Sequence, residues 1–368
     1  AIPKSREDKQ KRARGETDYN CRTISDFSAI GADGISINEA AGDFLKLDLP
    51  QGERIHANIW EVHAFCIKNG LDPRGIRGVK IDIQAAYRTV CTHPADWWAL
   101  CFRVAGKSAY HKRWPFGLTA SVYFFLRLPL LIVTYLVTKS SFEKIGARAG
   151  MYVDDLMIFA HESFMRAAVM EVMELFVRWL IPRQETKFLE DNANGEDGDS
   201  EMIVLGLLYD LANLTIAIPR PRVVEIMEEM NIFIDRKRAK KLAEWESTTG
   251  VVNWVTMAIP QLRAYLTSAW QIIKAIKYRF KRKGKAGQAR KVKIKLLEDV
   301  EHDWKEIIFH MERWNGSQKI LRTEWEEIPE EGFNIKNQTI APASDASGSW
   351  GWGVVCQEGY AFGKWSQR

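Results

Sequence analysis

The alternation of apolar and polar residues predicts strands in several parts of the chain. Residues 79–83 alternate in this way, and residues 99–104 and 108–114 have the pattern of two strands joined by a short turn. Residues 149–160 predict two further strands, which flank the acidic pair Asp154 and Asp155. Residues 202–208 and 214–218 predict a second hairpin, and residues 340–355 and 360–365 predict the start of a β-rich unit.

Longer segments have helical periodicity, with apolar residues at every third or fourth position: residues 57–68, 162–180, 222–277 and 294–314. We expect breaks near Gly250 and Pro260. The most apolar stretch, residues 122–137, belongs to another predicted helix. Because it is shorter than a bilayer span and contains Arg127 and Pro129, it predicts a buried core helix and no membrane partner.

The composition is that of a globular protein with a sizeable core. Of 368 residues, 46% are hydrophobic and 27% charged, which excludes a mainly disordered or collagen-like chain and predicts two or three domains. The five cysteines include no CxxC pair, which favours an intracellular setting, cytoplasmic or nuclear. Because the sequence begins with Ala1 and ends after a strand-like run, we expect a fragment of a polyprotein.

Positive charge is concentrated in one segment. The net charge is +5, yet residues 274–295 contain eleven Lys or Arg and no Asp or Glu. Such a basic strip is typical of a surface that binds a polyanion, and equally of a solvated basic linker.

Three carboxylates are the strongest candidates for chemistry. Asp154 and Asp155 stand between two apolar half-strands, where adjacent charges repel each other and lose hydration. A divalent cation would offset both effects, and Asp82, at the end of its own strand, would complete an all-oxygen site suited to magnesium. The alternative is that the acidic pair caps an exposed turn.

The order of these motifs resembles that of a known family. Asp82 with Tyr87, then Pro115-Phe116-Gly117-Leu118, then Tyr152-Val153-Asp154-Asp155 resembles the palm of retroelement reverse transcriptases, nearest to long-terminal-repeat or DIRS-like retrotransposon polyproteins. Segments 21–27, 36–38 and 204–206 extend the likeness, which covers residues 20–220 well and the helices to 316 loosely. It implies an α/β (α+β) fold: a palm with an antiparallel sheet backed by helices, with fingers and a helical thumb.

The resemblance also implies a site for two Mg²⁺ ions, with Mn²⁺ as a possible substitute. Asp82 and Asp154 would bind both ions, Asp155 would support the site, and Ile83 would offer its backbone carbonyl. One ion would activate the primer 3′-hydroxyl and the other would neutralise the triphosphate.

Other positions would bind the substrates. Those implied for the dNTP are Arg22, Ala85, Ala86, Tyr87, Gly117 and Lys187. Among them, Tyr87 would exclude a 2′-hydroxyl, although a core tyrosine is the alternative. Those implied for the RNA or DNA template and its primer are Pro115, Phe116, Tyr152, Gly206, Lys281, Arg282 and Lys283. The sequence departs from the family at Ala120-Ser121-Val122, and residues 190–201 predict a long acidic loop without a core.

The C-terminal segment resembles the start of a ribonuclease H domain. Asp345 would be its first metal-binding carboxylate, but the later acidic residues are missing, so we expect no ribonuclease H activity. The predicted division is 1–220 fingers and palm, 221–316 thumb and connection, 317–339 acidic linker, and 340–368 truncated ribonuclease H-like unit.

The sequence therefore predicts an RNA-directed DNA polymerase. Two alternatives stay open: an RNA-dependent RNA polymerase, against which Tyr87 argues, and a decayed or domesticated fragment that binds nucleic acid without catalysis. The oligomeric state is left open.

Overall fold

The computed structural model describes two units, residues 1–320 and 321–368. In the first it describes residues 53–104, 106–234, 239–282, 286–314 and 316–320, with the short segments 2–3, 21–22, 25–29 and 36–38 and residues 11 and 14; in the second it describes only strands. The fold is a mixture of helices and antiparallel sheets, as predicted.

The described part of the first unit contains thirteen strands, of which the first eleven precede residue 242. They are β1 (Ile2–Pro3), β2 (Cys21–Arg22), β3 (Ile76–Asp82), β4 (Cys101–Val104), β5 (Lys107–Tyr110), β6 (Arg148–Tyr152), β7 (Asp155–His161), β8 (Glu201–Val204), β9 (Leu207–Asp210), β10 (Thr215–Ala217) and β11 (Lys240–Lys241). Two short strands follow, β12 (Lys293–Ile294) and β13 (Gln318–Lys319). The central sheet has the order β3-β7-β6, and a second sheet has the order β13-β10-β9-β8.

The α-helices of this unit surround the sheets. They are α1 (Glu53–Lys68), α2 (Thr119–Phe125), α3 (Arg127–Lys139), α4 (Phe142–Ile145), α5 (Glu162–Arg178), α6 (Glu185–Asp191), α7 (Arg220–Ile234), α8 (Leu242–Val255), α9 (Thr267–Arg282) and α10 (Glu298–Arg313). The second unit contains a hairpin of β14 (Phe333–Ile335) and β15 (Gln338–Ile340), and a sheet of β16 (Ala343–Ser347), β17 (Gly351–Cys356) and β18 (Gly359–Lys364).

The central sheet is buried on both faces, which explains the continuous apolar run in β7. Leu156, Ile158 and Ala160 pack into a core shared with α3 and α5. Met157 and Phe159 point the other way, into a larger core shared with α1, the second sheet and the helices from α7 onward. Alternate residues of a strand face opposite sides, so one strand contributes to both cores.

Three sequence-based expectations about helices need correction. Helix α8 continues through Gly250 without a break, because tertiary packing of its neighbours outweighs the low helix propensity of one glycine. The last predicted helix begins at Glu298, after the two-residue strand β12. Residues 190–201 are not a loop without a core: α6 extends to Asp191, and Asn192 and Asp199 are buried.

The apolar segment after Leu118 also differs from expectation. The run Thr119–Lys139 has 21 residues, and by length and composition alone it is sufficient to cross a membrane, but one such helix is weak evidence. Phe125, Ile132 and Leu136 are fully buried, but only 28% of its most apolar 18-residue stretch is buried, so the predicted burial holds for one face of the run. Leu130 and Leu131 are among its exposed side chains.

Candidate active site

The acidic pair is presented by a tight turn between β6 and β7. Tyr152 pairs with Asp155 across the hairpin, which leaves Val153 and Asp154 as the two residues of the turn. Val153 has a φ of 55°, in the left-handed region that a β-branched residue rarely adopts. A conformation of this kind costs about 1–3 kcal/mol and is found most often at functional sites.

The strand β3 brings Asp82 to the same place. Asp82 is the register partner of Asp155, because β3 and β7 are antiparallel neighbours. One residue further on, the Ile83 backbone N–H donates to the carbonyl of Asp154 at 3.0 Å. The backbones of the three predicted carboxylates therefore converge at one end of the central sheet.

Burial and charge both act on Asp82. The residue is only 7% exposed, and its pKa is raised from 3.8 to about 6. Burial is the largest cause; the Lys187 ammonium opposes it, whereas the negative charge of Asp154 and a hydrogen bond with Asp155 add to it. An added cation would relieve the crowding of negative charge at this point.

Lys187 lies directly against these carboxylates. Its Nζ is 2.7 Å from Asp82 Oδ1 and 3.3 Å from Asp155 Oδ1. Burial lowers the pKa of Lys187, but the hydrogen bonds and charges of the two carboxylates outweigh it and leave the pKa raised. The lysine implied for the triphosphate is thus the cation that contacts Asp82 and Asp155.

A second lysine links the site to the end of α6. Lys80 Nζ lies 3.5 Å from Asp155 Oδ2 and 3.4 Å from Asp191 Oδ2. Its side chain is only 13% exposed, so solvent screens these pairs less than at an open surface. Lys80 thereby connects Asp155 to Asp191 through one ammonium group. The alternation of residues 79–83 did not indicate this role for Lys80.

Asn192 holds α6 against the edge of β3. Its side-chain Oδ1 accepts from the Lys80 N–H at 2.8 Å, and its Nδ2 donates to the Lys80 carbonyl at 2.8 Å and the Phe188 carbonyl at 2.7 Å. One amide thus reproduces the pairing that a neighbouring strand would give. The site of Lys187 depends on this contact, and no feature of the sequence distinguishes Asn192 from Asn194 nearby.

The residues implied for the nucleotide lie just after β3. Ala85 adopts a left-handed conformation with φ of 55° and precedes the 3₁₀ helix Ala86–Thr89. The Tyr87 ring lies 5.0 Å from that of Phe116 and 5.5 Å from that of Phe125, centroid to centroid. Tyr87 therefore has the contacts of a core aromatic residue.

The segment after Trp114 is fixed by residues from the N-terminal part of the chain. Asn38 Nδ2 donates to the Gly117 carbonyl at 2.8 Å, and Asn38 Oδ1 accepts from the Thr119 N–H at 2.8 Å. Gly117 has a φ of 98°, which favours glycine. Ser121 Oγ donates to the Pro115 carbonyl at 2.7 Å, so the sequence that departs from the family pattern still closes this turn.

The primer-side residues are more dispersed. Gly206, with φ of 80°, lies in the β8–β9 turn, and a Cβ there would be 3.3 Å from the Trp254 ring of α8. Tyr152 is half-buried beside the acidic turn, and Arg282 is exposed at the end of α9, 5.9 Å from the Tyr278 ring. The Arg22, Lys281 and Asp345 side chains and all of Lys283 lie outside the described residues.

The donor set fits magnesium in chemical type. Asp82, Asp154 and Asp155 offer only oxygen ligands, which hard cations prefer. Within the part of the chain that the structure describes, however, no three His, Cys, Asp or Glu side chains are grouped closely enough to hold a metal ion. Lys187 provides the positive charge instead. A metal at this site would require the Lys187 ammonium to move away from Asp82.

Comparison with known proteins finds similar solved structures and no match by sequence. No protein-family model matches the sequence, and no curated protein is similar to it. The solved foamy viral protease-reverse transcriptase dRH with double-stranded DNA is similar in structure, with 14% identity, a TM-score of 0.48 and coverage of 93% of this chain and 49% of that chain.

Two further structures of the foamy viral protease-reverse transcriptase are similar. The complex with an RNA/DNA hybrid gives 12% identity, a TM-score of 0.42 and coverage of 79% of this chain and 33% of that chain. The complex with double-stranded DNA gives 14% identity, a TM-score of 0.43 and coverage of 89% of this chain and 57% of that chain. This chain thus spans between 33% and 57% of the length of the chains it resembles.

Proposed function

We propose that this chain is the polymerase part of a retroelement reverse transcriptase, which copies an RNA or DNA template by adding dNTPs to a primer. The observation that carries the proposal is the pairing of Asp82 with Asp155 across β3 and β7, with Asp154 in the adjoining turn. The motif order in the sequence supports it.

In the proposed reaction the primer 3′-oxygen bonds to the α-phosphorus, pyrophosphate leaves, and the 3′-hydroxyl gives up its proton. Bound Mg²⁺ would supply charge stabilisation of the attacking and leaving oxygens. Asp82 and Asp154 would hold the metal, and Asp155 would support them. Lys187, released from Asp82, would neutralise phosphate oxygens, for which an ammonium is suited as a mobile point charge.

The remaining residues would orient the substrates. The backbone after Ala85 begins the 3₁₀ helix Ala86–Thr89, and its N–H groups would face the triphosphate. Tyr87 is held by the rings of Phe116 and Phe125 and would exclude a 2′-hydroxyl by steric overlap. This arrangement favours dNTPs over NTPs.

A second candidate function is binding of nucleic acid without catalysis. The observation that favours it is the Lys187 contact with Asp82 and Asp155, which places an ammonium where a metal would bind. The basic residues at the end of α9 would serve either function, since they neutralise backbone phosphates.

Primer extension separates the two. Oligo(dT) on poly(rA) with dTTP and Mg²⁺ should be extended by the wild-type chain and not by Asp154→Asn, which keeps shape but removes a charge. Replacing dTTP by UTP should reduce extension strongly. Template binding with no extension by either protein would support the second candidate, and a preference for UTP would indicate an RNA polymerase.

A further inference from the structure

Residues 91–113 form a surface that the polymerase chemistry does not use, called here the aromatic hairpin. It consists of the 3₁₀ helix Pro94–Leu100 and the antiparallel strands β4 and β5. Three large aromatic side chains are exposed on it: Trp98 at 78%, Tyr110 at 43% and Phe102 at 39%. Aromatic residues grouped at a surface usually mark a binding site, because each exposes apolar area to water.

Four rings of the aromatic hairpin form two stacked pairs, which do not include Trp98. Trp97 stacks on Tyr110 with centroids 4.9 Å apart and an interplanar angle of 23°, and Lys112 Nζ lies 5.5 Å from the Trp97 ring centre. Phe102 stacks on His111 at 4.6 Å and 26°. Rings fixed in this way lose little conformational freedom when another flat group stacks on them.

The charge of the aromatic hairpin is complementary to a polyanion. Residues 91–113 carry four cations, Arg103, Lys107, Lys112 and Arg113, and a single carboxylate, Asp96. Cations interleaved with exposed rings are typical of surfaces for single-stranded nucleic acid, where bases stack and phosphates are neutralised. A protein partner of mainly apolar chemistry would gain nothing from these four charges.

The base of the aromatic hairpin is attached to the candidate active site. Arg113 donates to the Arg88 carbonyl at 2.8 Å, and the Trp114 N–H donates to the Val90 carbonyl at 3.2 Å. Both acceptors lie in the segment that follows β3 and contains Tyr87. The aromatic hairpin is therefore hydrogen-bonded to the segment that follows Asp82.

We propose that the aromatic hairpin binds the unpaired part of the template before it is copied, with Trp98 as a stacking platform. This inference rests on the proposed function, which supplies the template. Its recognition is by rings and phosphates, so it should not depend on base sequence.

The test measures binding to two primer–template duplexes by fluorescence anisotropy. One duplex is blunt, and the other has a single-stranded 5′ template overhang of about eight nucleotides, a length within the site sizes of single-strand binders. The wild-type chain should bind the overhang substrate more tightly. Trp98→Ala should lose roughly 5-fold or more of that preference, the equivalent of at least about 1 kcal/mol for one stacked base, without changing affinity for the blunt duplex. Trp98→Phe, which keeps a ring, should retain most of it.

A matched control is Trp60→Ala, since Trp60 on α1 is also exposed, at 51%, and lies outside the aromatic hairpin. It should leave both affinities unchanged. Equal behaviour of Trp98→Ala and Trp60→Ala, or equal loss on blunt and overhang duplexes, would overturn the inference. A wild-type chain that neither binds nor extends any duplex overturns the proposed function as well, whereas normal extension with no effect of Trp98→Ala overturns the hairpin alone.

Discussion

Asn192 provides the sharpest test of how the candidate site is held together. Its side chain is buried, with the whole residue 3% exposed, and makes three hydrogen bonds of 2.7–2.8 Å to the backbone of Lys80 and Phe188. Asn192→Ala removes all three and leaves the N–H and carbonyl of Lys80 without this partner.

The expected loss of stability follows from these contacts. A typical hydrogen bond contributes about 0.5–1.5 kcal/mol net, and a buried polar group left unsatisfied costs about 1–3 kcal/mol. Because the Lys80 groups can recover part of their solvation at the sheet edge, we expect Asn192→Ala to lower the free energy of unfolding by about 2–4 kcal/mol. Urea denaturation, with the slope checked for constancy, measures this.

Asn69→Ala is the matched control. Asn69 Nδ2 donates one hydrogen bond of 2.8 Å, to the Phe65 carbonyl, and the residue is exposed. Its removal should cost less than about 1 kcal/mol. A difference below about 0.5 kcal/mol between the two variants would refute the claim that Asn192 fastens α6 to β3. If the claim holds, Asn192→Ala should also weaken dNTP binding, since α6 carries Lys187.

Three further predictions concern the metal, the pH dependence and a tight turn. Millimolar Mg²⁺ should raise the melting temperature of the wild-type chain by a few degrees, reversibly with EDTA, and should not affect Asp82→Asn. Burial raises the pKa of Tyr209 above 10.0. The unfolded chain therefore loses this proton first, and the free energy of unfolding falls as pH rises above about 10, by about 1.4 kcal/mol per pH unit from this group. Urea denaturation of Tyr209→Phe should not show this part of the pH dependence. Gly146→Ala should cost about 1–3 kcal/mol more than Gly70→Ala in the same assay, because both glycines have positive φ but only Gly146 faces the Phe65 ring, which a Cβ would overlap.

The sequence predicted the centre of the molecule well. The alternation in residues 79–83 and the apolar runs beside Asp154 correctly gave the strands β3, β6 and β7, because burial imposes a clear period on a strand. The hairpin of β4 and β5 was also predicted within a few residues. The mixed helix and antiparallel-sheet fold is confirmed, whereas the functional roles of the site residues stay predictions.

What the sequence did not show depends on contacts between distant segments. Residues 190–201 are polar and acidic, so local composition indicates a solvated loop; only the fold places Asn192 against Lys80 and pairs Asp199 with Gly78 through two backbone hydrogen bonds. The contact of Lys187 with Asp82 has the same origin. Helix α3 shows the opposite error, since its apolar composition indicated burial and two of its leucines, Leu130 and Leu131, are exposed.

Two non-glycine residues with left-handed backbone, Ala85 and Val153, stand on either side of the candidate carboxylates. Glycine at either position would relieve a local energetic penalty and give a more stable chain by that contribution alone. It would also let the turn explore other shapes, so that Asp154 would no longer be held in one place. The left-handed residues thus cost some folding free energy and restrict the backbone next to the acidic residues, and glycine substitutions at these two positions should raise thermal stability while they impair the proposed reaction.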